Sequence, residues 1–428
     1  MKRLLEHSKL ILIFFGYAGL RLGQAFRIIP YASSFNDTKN YLKAAQIPLF
    51  SLKFFGSVRP FTIPLIFKIG ALNPVWIAWI QVCISILCWG FLIYQATVFI
   101  KNQKLRMLGL IGLLLFSMTY YISGWDVQLM SESLALSFQA LLLGMGFWLL
   151  REWAWYKVLL LGVVALLWAC TRDTNPWILL GYGAGLFLVG VLKKSYRRWI
   201  FISLIFVLIF AYSQWSIDYS RRWSLTFAEV LPWRVLKLKK AVPFFESCGM
   251  PHQAGITNYY TWLKVDWLYS KGKYCFFRWV IANPEWSLTA PLLDWNVMLG
   301  FDPIAQYNYF PQEFPTILPR VVEQVLYPGN YGYLFWWFGG VVLGFILATP
   351  LRGRPAVILS AATFLMVFPT ILLSWHVDVL EIGRHALQPQ CAMFISLWLL
   401  VLFTLDYIIE KRMPHLPDFS IMEKEVVS

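Results

Sequence analysis

Apolar stretches of about 20 residues, each long enough to cross a bilayer, recur along the whole chain and constrain its fold more than any other feature. With 59% of residues hydrophobic and only 14% charged, the sequence leaves little room for a water-soluble surface. The windows fall near residues 8 to 26, 74 to 100, 107 to 123, 129 to 150, 158 to 172, 176 to 192, 199 to 215, 331 to 349, 355 to 374 and 386 to 409. The expectation is an all-α integral membrane protein with about ten transmembrane helices.

Short basic connections alternate with acidic and aromatic ones. Lys2-Arg3, Lys101/Lys104/Arg106, Arg151/Lys157, Lys193/Lys194/Arg197/Arg198, Arg352/Arg354 and Lys411/Arg412 all fall on one side, which the positive-inside rule makes cytoplasmic. Both termini are therefore expected inside. The basic start followed by an apolar run resembles a signal peptide, but Arg21 interrupts it, so it reads as a retained first helix. The net charge of +15 is explained by this topology and by anionic headgroups or phosphates, so no nucleic-acid partner is expected.

Three regions follow: an N-terminal transmembrane module over 1–215, an extracytoplasmic lid segment over 216–330 and a C-terminal transmembrane module over 331–428. The lid segment is rich in aromatics and proline. Its Leu231 to Phe245 and Tyr259 to Val280 stretches alternate bulky apolar with basic residues, as amphipathic helices lying on a bilayer do. Trp223, Trp233, Trp262, Trp267, Trp279, Trp286 and Trp295 read as headgroup anchors before they read as sugar platforms. Cys248 and Cys275 share this oxidising side, and a disulfide or two free thiols fit equally; Cys83, Cys88, Cys170 and Cys391 read as packing residues in apolar helices.

No P-loop, GxSxG, HExxH or CxxC pair is present, so the chemistry has to come from dispersed groups. Asp37 lies on the first outer loop, within Asn36-Asp37-Thr38, and is either a base above the membrane surface or a helix cap for the Tyr41 stretch. Arg59, before Pro60, is either a phosphate ligand or a snorkelling cation. Asp126 and Glu132 flank the entry of an apolar helix, where an acid is costly unless used, turned to a helix N-terminus or paired with Arg172. Arg172 and Asp173 join two spans with almost no loop and are expected in the wall of a polar cavity. In the last outer loop, Asp378, Glu381 and His385 share a face if the stretch is helical. They offer ligands to a divalent metal, but Arg384 beside them opposes it, and Glu381 is better read as orienting Arg384 or His385 towards a lipid phosphate.

Taken in order, Asp37, the Arg59-Pro60-x-x-x-Pro64 run, Ser131-Glu132-Ser133-Leu134-Ala135-Leu136-Ser137, the Thr171-Arg172-Asp173-Thr174-Asn175 turn and Glu381-x-x-Arg384-His385 resemble the GT-C superfamily of membrane glycosyltransferases. That superfamily includes protein O-mannosyltransferases and aminoarabinose transferases that use polyprenyl-phosphate sugars. The resemblance implies that Asp37 is the catalytic acid of the first loop, with Arg59, Arg384 and His385 contacting the lipid phosphate and Asp126 or Glu132 orienting the acceptor or Asp37. It further implies a polyprenyl-phosphate sugar donor, a glycan, lipid or protein acceptor, and a site facing the periplasm or exterior of a bacterial inner membrane. Asn36-Asp37 stands where two neighbouring carboxylates occur in several branches, which leaves metal dependence and subfamily unassigned. A lipid or polysaccharide transporter, and a polymerase or ligase of lipid-linked oligosaccharides, are the competing expectations.

Overall fold

The computed structural model describes residues 2–32, 34–252, 259–300, 316 and 318–412. Parts of the expected lid segment (253–258, 301–315 and 317) and the end of the C-terminal module (413–428) lie outside the described residues. Among those described there is helix and loop and no strand, as expected where backbone groups in hydrocarbon must bond within their own segment.

Seven helices are long and apolar enough to cross a membrane: Leu10–Ile28, Pro74–Thr97, Glu132–Arg151, Asn175–Leu192, Trp199–Ser220, Pro355–Val377 and Leu387–Arg412. An eighth crossing arises if Gln103–Ser117 and Tyr120–Val127 are counted together across a 47° bend. Trp155–Ala169 and Gly332–Leu347 are apolar but shorter. The protein is thus a multi-pass integral membrane protein. Its Glu132–Arg151 helix sits between two apolar cores: Ile86, Trp89, Phe116, Phe147, Phe394 and Leu400 are buried in one, and Leu134, Phe138, Trp168, Leu179 and Phe206 in the other.

The apolar window expected at 107 to 123 is bent in the structure. Met118 caps Gln103–Ser117, and beyond the 47° bend Ser123, Trp125 and Asp126 are fully buried. Hydropathy records what a segment is made of and is blind to a change in its direction.

Arg221, in the left-handed region at φ 54°, ends the Trp199–Ser220 helix and turns the chain into the lid. Here too the expectation is revised. The short helices Trp223–Val230, Ala241–Ser247 and Lys273–Ala282 fold around a core of their own, in which Phe227, Leu231, Val235, Phe245, Leu268, Trp262 and Trp279 are buried. Trp262, Trp267 and Trp279 are therefore core residues, neither headgroup anchors nor open sugar platforms, while Trp233 is about half exposed. The aromatic residues cover one another better than a flat membrane surface covers them. Cys248 and Cys275, 27 residues apart, are joined by a disulfide that ties the Ala241–Ser247 and Lys273–Ala282 helices together.

Candidate functional site

The helix Asn36–Gln46 carries Asp37 in its first turn, but Asp37 does not cap it. Thr38 does that work: its Oγ1 accepts from the N–H of Phe35 (2.9 Å) and donates to the carbonyl of Leu129 (2.7 Å), which pins the loop to the turn before the Glu132 helix. The Asp37 carboxylate is left for cations. Its Oδ1 takes a charge-assisted hydrogen bond from Arg59 at 2.5 Å, and its Oδ2 lies 3.4 Å from Arg384. Burial pushes the Asp37 carboxyl up, but Arg59, Arg384 and His385 together outweigh it and hold the group below the ordinary aspartate value.

Arg59 is built into position. Ser57 Oγ donates to the Arg59 carbonyl (2.6 Å), Thr62 bonds the carbonyl of Leu167 (2.8 Å), and the guanidinium lies over the Tyr41 ring at 5.2 Å. A freely snorkelling arginine has no such scaffold.

Beneath these groups lies a buried tier. Glu132, 1% exposed, accepts from Arg172 and lies 3.1 Å from Arg384, so one carboxylate holds two buried guanidinium groups. Arg172 also reaches Ser131 Oγ and the His385 carbonyl, both at 3.4 Å. Arg384 is shared further with Glu381, its ion-pair partner three residues earlier. Asp37, Arg59, Glu132, Arg172, Glu381 and Arg384 thus form one continuous ion network. Asp37, Arg59 and Glu381 form its more open side, and Glu132, Arg172 and Arg384 its floor. Buried charges persist only when paired in this way.

His385 is held differently from expectation. Residues 378–381 are not helical, and only Ile382–His385 forms a short helix. Asp378 closes the turn, accepting from the N–H groups of Leu380 (3.0 Å) and Glu381 (3.1 Å), and its Oδ2 holds His385 Nε2 at 2.9 Å. Burial raises Asp378, but His385, through charge and hydrogen bond, with the Glu381 N–H and Arg384, drives its carboxyl well below the usual range. Among the described residues, no group of three or more His, Cys, Asp or Glu is arranged to hold a metal ion.

Two expected site residues are placed apart from this network. Asp126 is fully buried and pairs with Arg21 at 2.7 Å, with Ser133 Oγ donating to it at 2.6 Å; Arg21 also donates to Ser85 Oγ at 2.7 Å. Asp173 accepts both of its bonds from Arg222 Nε, at 2.8 and 2.9 Å. Sequence reasoning missed Arg222 and Arg234, the two arginines that dock the lid. Arg222 also donates to the carbonyl of Ser57 (3.1 Å), and Arg234 donates to the carbonyl of Asp378 (2.6 Å) and to that of Trp375, whose ring it covers. In so basic a chain neither stands out; Arg21, a lone cation inside the first apolar stretch, did carry a visible signal.

No family model matches the chain, and no curated protein matches it.

Proposed function

We propose that this chain is a GT-C-type membrane glycosyltransferase that moves a sugar from a polyprenyl-phosphate carrier to an extracytoplasmic glycan, lipid or protein acceptor. On this reading the bent pair and the two shorter apolar helices cross the membrane alongside the seven long ones, giving ten spans. The basic connections then lie in the cytoplasm, and the ion network faces the periplasm or exterior of a bacterial inner membrane. The observation that carries the reading is the Asp37 carboxylate bridging Arg59 and Arg384, two guanidinium groups from opposite ends of the chain, above the buried Glu132–Arg172 pair.

A carboxylate between two arginines occupies the seat that a phosphate takes. In the proposed reaction the donor phosphate takes Arg59 and Arg384, and Asp37, released from them, regains ordinary basicity. The acceptor oxygen attacks the anomeric carbon as its proton passes to Asp37. The bond from that carbon to the phosphate oxygen breaks, and its electron pair leaves on the phosphate, where the arginines neutralise it. A single displacement inverts the anomeric centre. Glu132 keeps Arg172 and Arg384 aligned, and Glu381 and Asp378 hold Arg384 and His385 in place.

The test uses the full chain in lipid vesicles with a polyprenyl-phosphate sugar. Asp37→Asn is expected to lower transfer by about 10²- to 10⁴-fold, the usual contribution of a general base, while binding of a short alkyl phosphate is kept or strengthened. Undiminished transfer by the folded variant removes Asp37 from the reaction.

A further inference from the structure

The lid helix Trp223–Val230 is fixed at both ends to the two sides of the ion network. Before it, Arg222 binds Asp173 and the carbonyl of Ser57, two residues from Arg59. After it, Arg234 binds the carbonyl of Asp378, and Val379 packs against the lid core. The helix therefore roofs the network from the Arg59 loop to the Asp378–Glu381 turn.

Phe227, Ala228 and Val230 are turned into the lid core, and Glu229 is not. It is the only charged residue of the helix, half-buried, and has no hydrogen-bond or ion-pair partner among the described residues. Asp378, Asp37 and Glu381 are near enough for their charges to act on it. The cations on the elements packed against this helix are otherwise placed: Arg234 on Asp378 and Trp375, Lys273 on Asp218 and over the Trp223 ring, and Lys271 beside Gly249; His376 is bonded to the carbonyl of Ser287. The Glu229 carboxyl, engaged by no other side chain or backbone group among the described residues, is left available to a molecule bound beneath the helix.

We propose that Glu229 is the acceptor-binding carboxyl of the lid, holding a hydroxyl of an uncharged, polyhydroxylated acceptor over Asp37. This rests on the transferase reading. The surroundings select the ligand class. A hydroxyl donates to the Glu229 carboxylate, whereas a carboxylate placed against it offers no donor and is repelled by its charge. Burial, followed by the charges of Asp378, Asp37 and Glu381, pushes Glu229 up to about 7, so the same group donates a hydrogen bond when protonated and accepts one when ionised.

The experiment is equilibrium binding to the full chain in lipid nanodiscs, read by intrinsic tryptophan fluorescence. The probes are a set of neutral methyl hexosides, the matching uronic acids and, separately, a short alkyl phosphate. The expected result is hexoside binding that Glu229→Ala weakens about tenfold, the loss of one hydrogen bond to a charged group, with alkyl phosphate binding unchanged. Glu229→Gln is expected to bind hexosides with little change between about pH 6 and about pH 8, where the wild type varies, and uronic acids are expected to bind far more weakly than hexosides. Hexoside binding that is absent, or indifferent to Glu229→Ala, overturns the assignment while leaving the phosphate site standing. Loss of alkyl phosphate binding in Glu229→Ala shows a merely structural role and overturns it too. If the wild type binds no alkyl phosphate through Arg59, it is the transferase reading that fails.

Discussion

The Arg21–Asp126 pair sets the sharpest energetic test. Both side chains are at most 2% exposed and lie 2.7 Å apart within the bundle, so removing either leaves the other as a buried, unpaired charge. Breaking such a pair costs about 3–5 kcal/mol, but the two halves are not equivalent. After Arg21→Met, Asp126 can take up a proton and become neutral, and it keeps its bond from Ser133. After Asp126→Leu, the guanidinium cannot lose its proton and keeps only Ser85 and Gln24. Asp126→Leu is therefore the more damaging change. In the double variant no charge is left; what remains is the loss of partners for Gln24, Ser85 and Ser133, about 1 kcal/mol each. The expected cost is about 3 kcal/mol against a sum of singles of about 6–10 kcal/mol, a coupling of at least about 3 kcal/mol. Denaturant unfolding in mixed micelles, followed by tryptophan fluorescence, measures all four corners of the cycle. Additivity within about 0.5 kcal/mol refutes the pairing. Because Asp126 stands outside the Asp37 network, the folded double variant is also expected to retain transfer.

Arg59→Lys, which keeps the charge but loses the planar fork, is expected to weaken alkyl phosphate binding by about tenfold in a titration calorimeter, and equal affinity would count against a bidentate seat. Replacing Cys248 and Cys275 by serine opens a loop whose ends are 27 residues apart, worth about 3.5 kcal/mol in the chain-entropy account, so limited proteolysis is expected to cut the lid first and spare the bundle. For Glu229, titrating at about 7 when folded against 4.5 when free, the folded state holds the extra proton between those values, so its stabilising effect is complete below about pH 4.5 and drains away as pH rises to about 7. Glu229→Gln is accordingly expected to flatten the fall in apparent melting temperature over that interval, and a slope equal to that of the wild type would sink the assignment of the shift to Glu229.

The membrane helices were legible because the bilayer imposes one rule on every residue of a span. Expected windows such as 129 to 150, 355 to 374 and 386 to 409 coincide with Glu132–Arg151, Pro355–Val377 and Leu387–Arg412 to within a few residues. What the hydropathy pattern omits is direction and company. The bend after Ser117 precedes a fully buried Asp126, and the lid folded on its own aromatics because Trp262, Trp267, Trp279 and Phe245 meet only in three dimensions. Neither event has a local sequence signature.

The candidate site divides along the same line. Its charged residues were conspicuous one by one, since each sits at the edge of an apolar stretch and demands a partner. The choice of partner was not conspicuous, because it is settled by loops that approach from distant parts of the chain. Arg384 lies 347 positions from Asp37 and 252 from Glu132, yet it joins both. Arg172 paired with Glu132, one of the choices open to it, while Asp126 and Asp173 went to Arg21 and Arg222. Charge balance explains the outcome for these residues: buried Asp126 is matched by Arg21 and buried Glu132 by Arg172 and Arg384, and Asp37, the partly open one, is held by Arg59 and Arg384. An acid gripped by two arginines is a poor base until an anion of equal charge competes for them. In the proposed reaction, the contacts that hold Asp37 below the ordinary aspartate value therefore make its role as base conditional on the phosphate that competes for them.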